Sequence, residues 1–224
     1  MKKSWLITTG IALLAMAILA GFAFGYVFNE IYDSENTNLT LDNLNAKMSL
    51  FKFGIAAWLV IIVLDILISL GLYQIYRSSN NRVAAISSSL RVLYTFVLCV
   101  AVYFLAQPIL VHMDASQTLT PFESFLSIWN VGLIIFGAHL VLLSVNCIKS
   151  DFTPKTIAAL VLVGGFSYII VHGLKVSLPA GSSISNTAES LLIIPMALAE
   201  LILAIWLIYR SLKRVEEKSI TSNT

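Results

Sequence analysis

Six apolar stretches, each long enough to cross a lipid bilayer, dominate this chain and leave it very few ways to fold. They cover residues 5–28, 53–75, 84–107, 125–148, 157–174 and 191–209. A hydrocarbon core about 30 Å thick takes roughly 20 helical residues. No water is present there to satisfy backbone N–H and C=O groups, so a spanning segment forms a helix or joins a closed barrel. Continuous apolar runs, rather than the short alternating segments of barrel strands, select the helix. The predicted fold is all-α: a polytopic transmembrane bundle of six spans forming one domain over residues 1–224. With 58% apolar and 12% charged residues, and a mean hydropathy of +0.87, an ordinary soluble domain is excluded. The first stretch follows Lys2 and Lys3, as a secretory signal would. Its apolar run exceeds the roughly 7 to 15 residues of a signal core, so it is expected to remain as a span.

Basic residues in short loops orient the bundle. With a cytoplasmic amino terminus, ten fall inside: Lys2, Lys3, Arg77, Arg82, Lys149, Lys155, Arg210, Lys213, Arg214 and Lys218. Only Lys47, Lys52 and Lys175 then fall outside, so both termini are expected to be cytoplasmic. The basic residues are spread over membrane-flanking turns rather than gathered on one face, which argues against a nucleic-acid partner. Cys99 and Cys147 lie in separate spans toward opposite ends, an arrangement that favours neither a disulfide nor a metal pair.

The sizeable exposed segment, residues 29–49, carries Glu30, Asp33, Glu35 and Asp42. Leu41, Leu44, Met48 and Phe51 recur at helical spacing there, as at the start of an amphipathic helix or of one lying partly on the membrane surface. Residues 77–82 read as a tight inner turn, and residues 181–186 as a small polar outer loop. Ala17, Gly21 and Gly25 form a small-residue stripe on the first span, and Gly164 and Gly165 do so on the fifth; both read as packing faces.

Four ionisable residues interrupt the spans at nearly one depth. Asp65 precedes Arg77 by 12 residues, Arg91 follows Arg82 by 9, His139 precedes Lys149 by 10 and Glu200 precedes Arg210 by 10. At the helical rise these offsets are roughly 13 to 18 Å, near mid-membrane. Groups at such depth should face one another inside the bundle rather than lipid. Asp65 and Arg91 lie on spans joined by a short turn, so an ion pair between antiparallel neighbours is predicted. His139 and Glu200 are depth-matched, and a contact between them would form a small functional centre. Ser87 and Ser88, one turn from Arg91, are expected to be local hydrogen-bond partners. Asn146 extends a polar stripe from His139 toward the cytoplasm, and Tyr168 lies one turn beyond Gly164. His112 and His172 are placed near the outer surface.

Asp65, His139 and Glu200 have the residue types of a metal site, but three ligands from three helices without an i,i+4 pair are a weak signal. No metal or cofactor is expected. No nucleophile elbow, phosphate loop or paired Cys-His is found, so no residue is assigned a catalytic role.

Val63-Leu64-Asp65-Ile66-Leu67, Leu90-Arg91-Val92-Leu93-Tyr94, Phe136-Gly137-Ala138-His139-Leu140, Gly164-Gly165-Phe166-Ser167-Tyr168 and Pro195-Met196-Ala197-Leu198-Ala199-Glu200 follow in this order along the chain. In order and spacing they resemble the domain of unknown function 4386 family. The resemblance covers nearly the whole chain and implies a six-helix, multi-pass protein of the bacterial inner (plasma) membrane, with Asp65, Arg91, His139 and Glu200 at characteristic positions. It implies no activity. Asn130 and its neighbours stand where a His is expected, and Val171 where an acidic residue often follows the Tyr, which implies loss of a second, outer polar site.

The reading favoured by these observations is a non-enzymatic membrane protein that binds or passes a small or lipidic ligand around the layer, or serves as an accessory. The alternative is an intramembrane enzyme using His139 and Glu200 for acid-base or metal chemistry. The partners expected are membrane lipids and the small or lipidic ligand, with a homo-oligomer or a partner membrane protein as further arrangements. Reporter fusions test the orientation. A periplasm-active reporter is expected to work after residue 40 and near residue 115 and to fail after residue 80 and near residue 152; the reverse pattern overturns it.

Overall fold

A computed structural model describes residues 3–111 and 117–222, with only the backbone of Lys3 and of residues 214–222. His112 lies outside the described residues, as do the side chains of Lys2, Lys3, Arg214 and Lys218. Among the described residues there are no strands, and six helices are long and apolar enough to cross a membrane. These are α1 (Ser4–Ile31), α2 (Met48–Tyr76), α3 (Asn81–Leu105), α4 (Thr120–Lys149), α5 (Lys155–Ser177) and α6 (Ser183–Ser222). Each packs on its neighbour in sequence, and α6 returns against α1, so the helices close a ring.

Every span predicted from hydropathy is present, and five of the six helices run past their apolar stretch at both ends; α3 starts earlier than predicted but ends at Leu105, two residues short of the predicted end. Polar caps extend them. Asn80 accepts from the Val83 N–H at 3.2 Å to start α3, which satisfies an otherwise orphaned donor. Pro121 occupies the first turn of α4, where its missing N–H costs nothing, and Lys149 in the last turn opposes the negative end of the helix dipole. The largest extension is in α6, which begins at Ser183 instead of within the stretch from 191. The predicted outer loop is therefore only a tight turn at Gly181, whose φ of 76° is left-handed and suits glycine.

Residues 29–49 resolve into the end of α1 and a separate short helix, Thr37–Ala46, capped by Asn36 on the Leu39 N–H at 3.0 Å. Its Leu44 and Thr40 are buried, and Lys47, at the break before α2, pairs with Glu30 at 2.5 Å. Two faces of the bundle thus differ in charge. One bears the turns with Arg77, Arg82, Lys149 and Lys155, and the other bears the acidic segment 29–49.

The small residues divide into used and unused. A Cβ on Gly165 would lie 2.8 Å from the Val141 nitrogen and 2.9 Å from the Gly137 oxygen, so α4 and α5 touch backbone to backbone. Gly164 meets Ala199 and the Pro195 carbonyl of α6. The expected close approach at the stripe of α1 is not made: Ala17, Gly21 and Gly25 are all exposed, and nothing lies within 4 Å of a Cβ at either glycine. Residues 21–28 of α1 are instead wound as a π-helix, a wider turn that buries Ala23, Val27 and Phe28. Phe28 joins Phe122 and Phe125 at 5.8 and 5.6 Å, and Trp58 joins Trp129 at 5.2 Å, filling the ring on its acidic side.

Gly165→Val should lower stability by about 1 to 3 kcal/mol through overpacking. Gly173→Ala, where no atom lies within 4 Å, should stay within about 0.5 kcal/mol of the parent. Thermal unfolding of the two purified variants in detergent checks this; equal losses would contradict the packing assigned to Gly165.

Candidate functional site

Arg91, fully buried in the middle of α3, gathers the predicted layer around one guanidinium. Its Nε donates to Asp65 Oδ1 of α2 at 2.9 Å, and Nη2 lies 2.7 Å from the same oxygen. Nη1 donates to Glu200 Oε1 of α6 at 2.6 Å and to His139 Nε2 of α4 at 3.2 Å. Nη2 also reaches Met16 Sδ of α1 at 3.5 Å. The five N–H bonds of a guanidinium therefore all have partners. The Phe136 ring faces the carbon of the group at 5.1 Å, adding a desolvated cation–π contact.

The partners of His139 assign its tautomer. Nδ1 lies 2.8 Å from the Ser87 carbonyl oxygen, which only accepts, so Nδ1 carries the hydrogen. Nε2 faces the Arg91 N–H and supplies its lone pair. Ser87 Oγ completes the clasp by donating to the His139 carbonyl at 3.0 Å. Neutral His139 is thus an acceptor for Arg91 with both nitrogens occupied. His139 and Glu200 meet through Arg91 rather than directly: Nη1 stands between them and binds both. The layer sets one guanidinium against two carboxylates. Asp65 Oδ2 is buried and has no hydrogen-bond partner among the described residues, whereas the Glu200 side chain keeps 15% exposure.

The predicted Asp65–Arg91 pair is present, whereas Ser87, expected as a local partner beside Arg91, bonds His139 of α4 across the bundle. Ser88 turns away from the layer: it donates to the Ser69 carbonyl at 3.1 Å while Ser69 returns a bond to the Ser88 carbonyl at 2.9 Å, lacing α2 to α3. Asn146 is not part of the layer either. With its amide oriented by its neighbours, it donates to the Asn80 carbonyl at 3.2 Å and accepts from the Ala84 N–H at 3.1 Å, bracing the start of α3. Phe136, one turn from His139, was readable from helical spacing, whereas nothing in the sequence marks Met16.

On the acidic side of the layer, α1, α4, α5 and α6 enclose a cavity of about 690 Å³. Phe24, Leu126, Trp129, Leu133, Ile193 and Met196 supply its apolar wall. The polar part of the lining includes Asn130, His172, Lys175, Glu189 and Glu123, together with Tyr168. His172, expected at the depth of the outer membrane surface, is buried within the bundle; its Nδ1 bonds Asn130 Oδ1 at 2.8 Å and its ring stacks on Tyr168 at 5.7 Å. Asn130, at the position where the family pattern has a His, thus supplies the hydrogen-bond partner for the imidazole. Lys175 pairs with Glu189 at 2.6 Å. At the mouth, burial first, then the carboxylates of Glu123 and Asp33, raise the Tyr32 hydroxyl above its usual pKa, which keeps it a neutral donor.

Cavity and layer touch through aromatic rings. Tyr168 meets Phe136 edge-on at 5.0 Å, and Phe136 lies against both Arg91 and His139. Met196 of the cavity wall is one helical turn from Glu200 on α6.

Residues 8–211 match the family model described as "Domain of unknown function (DUF4386)", and the chain belongs to that family. It is similar to an uncharacterized protein of Archaeoglobus fulgidus, 28% identical over 127 residues that cover 57% of this chain and 68% of the relative. No solved structure matches.

Because Arg91 serves two carboxylates, the losses should be unequal. Arg91→Leu strands both acids and should cost the most, about 3 to 5 kcal/mol or more, and Asp65→Leu somewhat less. Adding Asp65→Leu to Arg91→Leu should recover part of the loss. A double-mutant cycle on thermal stability checks this; strict additivity would remove the pairing.

Proposed function

We propose that this member of the DUF4386 family is a non-enzymatic, multi-pass protein of the inner (plasma) membrane that binds or passes a small or lipidic amphiphile. The cavity would be the binding volume. The layer of Asp65, Arg91, His139 and Glu200 would hold its deep end through Phe136 and Tyr168. The observation that carries this reading is the cavity's mixed lining: apolar and aromatic side chains such as Phe24, Leu133, Ile193 and Met196 beside a few hydrogen-bonding and charged groups, Asn130, His172, Lys175 and Glu189 among them. Its size falls within the range of about 300 to 1,000 Å³ typical of ligand pockets. The saturation of the Arg91 donors supports assigning the layer a positioning role, since a ligand binding there would first displace Asp65, Glu200 or His139.

In this reading both termini lie in the cytoplasm, which the distribution of basic residues supports, and the mouth of the cavity lies on the outer side. The whole chain acts as a single domain in this reading, since the ring closes only when α6 meets α1. An accessory role beside a partner membrane protein, or a homo-oligomer, would leave the same cavity available.

Native mass spectrometry of protein extracted in mild detergent tests the proposal. A co-purifying amphiphile is expected, and Leu133→Trp, which narrows the cavity from its wall, should reduce its occupancy several-fold without lowering protein yield. An unliganded parent that also fails to take up added amphiphiles would overturn the reading. His139→Gln and Glu200→Gln should loosen ligand retention more than they lower folded yield, because a Gln still offers Arg91 an acceptor.

A further inference from the structure

The charged and imidazole groups lining the cavity favour one kind of headgroup. Two carboxylates, Glu123 and Glu189, face one ammonium, Lys175, and that ammonium is already held by Glu189 at 2.6 Å. Glu123 has no ion-pair partner among the described residues. The formal balance of the lining is therefore −1, at the end of the bundle that also carries Glu30, Asp33, Glu35 and Asp42.

His172 points to the same chemistry. Its Nδ1 is 2.8 Å from Asn130 Oδ1, an oxygen that only accepts, so Nδ1 bears the hydrogen and Nε2 keeps a lone pair. Nε2 is buried and has no hydrogen-bond partner among the described residues. A buried acceptor without a donor costs free energy that a ligand hydrogen can recover. The Tyr168 ring stacked on His172 and the Trp129 ring in the wall add π faces of the kind that attract cations.

Resting on the proposed function, we infer that the cavity selects amphiphiles with a protonated amine headgroup. The ammonium donates to His172 Nε2 and lies in the field of Glu189, whose partner Lys175 is one turn from His172 on α5, and of Glu123 at the mouth. The alkyl chain lies along Phe24, Leu133, Ile193 and Met196. An anionic headgroup meets an excess of negative charge and an acceptor that offers it no hydrogen.

The test uses the full chain in nanodiscs of zwitterionic phosphatidylcholine at pH 7, with empty nanodiscs to correct for partitioning. Dodecylamine, dodecanol and dodecanoate are titrated against tryptophan fluorescence, with Trp129→Phe identifying the signal from the cavity. Dodecylamine is expected to bind about tenfold more tightly than either other probe, since a partly desolvated cation gains from both acceptors and ring faces. His172→Phe and Glu123→Gln should each reduce that preference while dodecanol still binds. Should His172→Phe fail to fold, the exposed Glu123→Gln decides alone. Glu189→Gln releases Lys175 and should shift the order toward dodecanoate. Equal binding of all three probes, tightest binding of dodecanoate, or an order unchanged in both Glu variants overturns the amine inference and leaves the cavity reading standing. No cavity-dependent response to any probe overturns both.

Discussion

A single guanidinium holds five of the six helices in register. Arg91 projects from α3 and binds a sulfur of α1, a carboxylate of α2, an imidazole of α4 and a carboxylate of α6. In hydrocarbon an unpaired charge is expensive, and a pair gains only when the remaining hydrogens are also satisfied. Here they are satisfied within one residue's reach. Rotating or sliding any of these four partner helices would expose at least one unmet donor, so the clamp sets rotation and depth together. The apolar contacts around it are far less selective about register.

Helix α5 is the exception, and its attachment uses a different force. Gly165 lets its backbone meet Gly137 and Val141 of α4, and Gly164 receives Ala199 of α6. Dispersion at such close range replaces the hydrophobic effect, which does not act between helices already in lipid. The cavity lies on the acidic side of these contacts. Its walls come from the same helices that meet closely at Gly164 and at the clamp, so a closely packed half of the bundle adjoins an open one. Phe136 joins the two by touching Arg91 on one side and Tyr168 on the other.

Much of the architecture was legible because the bilayer is a simple solvent. Apolar length alone located the six spans, although not their polar extensions such as residues 183–190 of α6, where caps and helix propensity act outside the hydrocarbon. Counting along the spans brought Asp65, Arg91, His139 and Glu200 to one depth, since helical rise is uniform. Depth does not specify azimuth, however. Whether His139 and Glu200 would touch directly was not legible from depth; Arg91 is long enough to occupy the centre and bind both. Azimuth also separated Asn146 and Ser88 from the layer and turned the stripe of Ala17, Gly21 and Gly25 outward.

Length, hydropathy and the spacing of charges thus determined that the chain is a six-span helical membrane protein with four ionisable groups at mid-depth and a pair between Asp65 and Arg91. These follow from local or solvent-wide energies that act on each segment independently. Closure of the ring by α6 on α1, the sharing of Arg91 between two acids, the Asn130–His172 bond and the cavity were decided by tertiary structure. Each depends on the rotation of one helix relative to another, and that rotation comes from side-chain reach and backbone approach between residues far apart in sequence, such as the 109 positions separating Arg91 from Glu200.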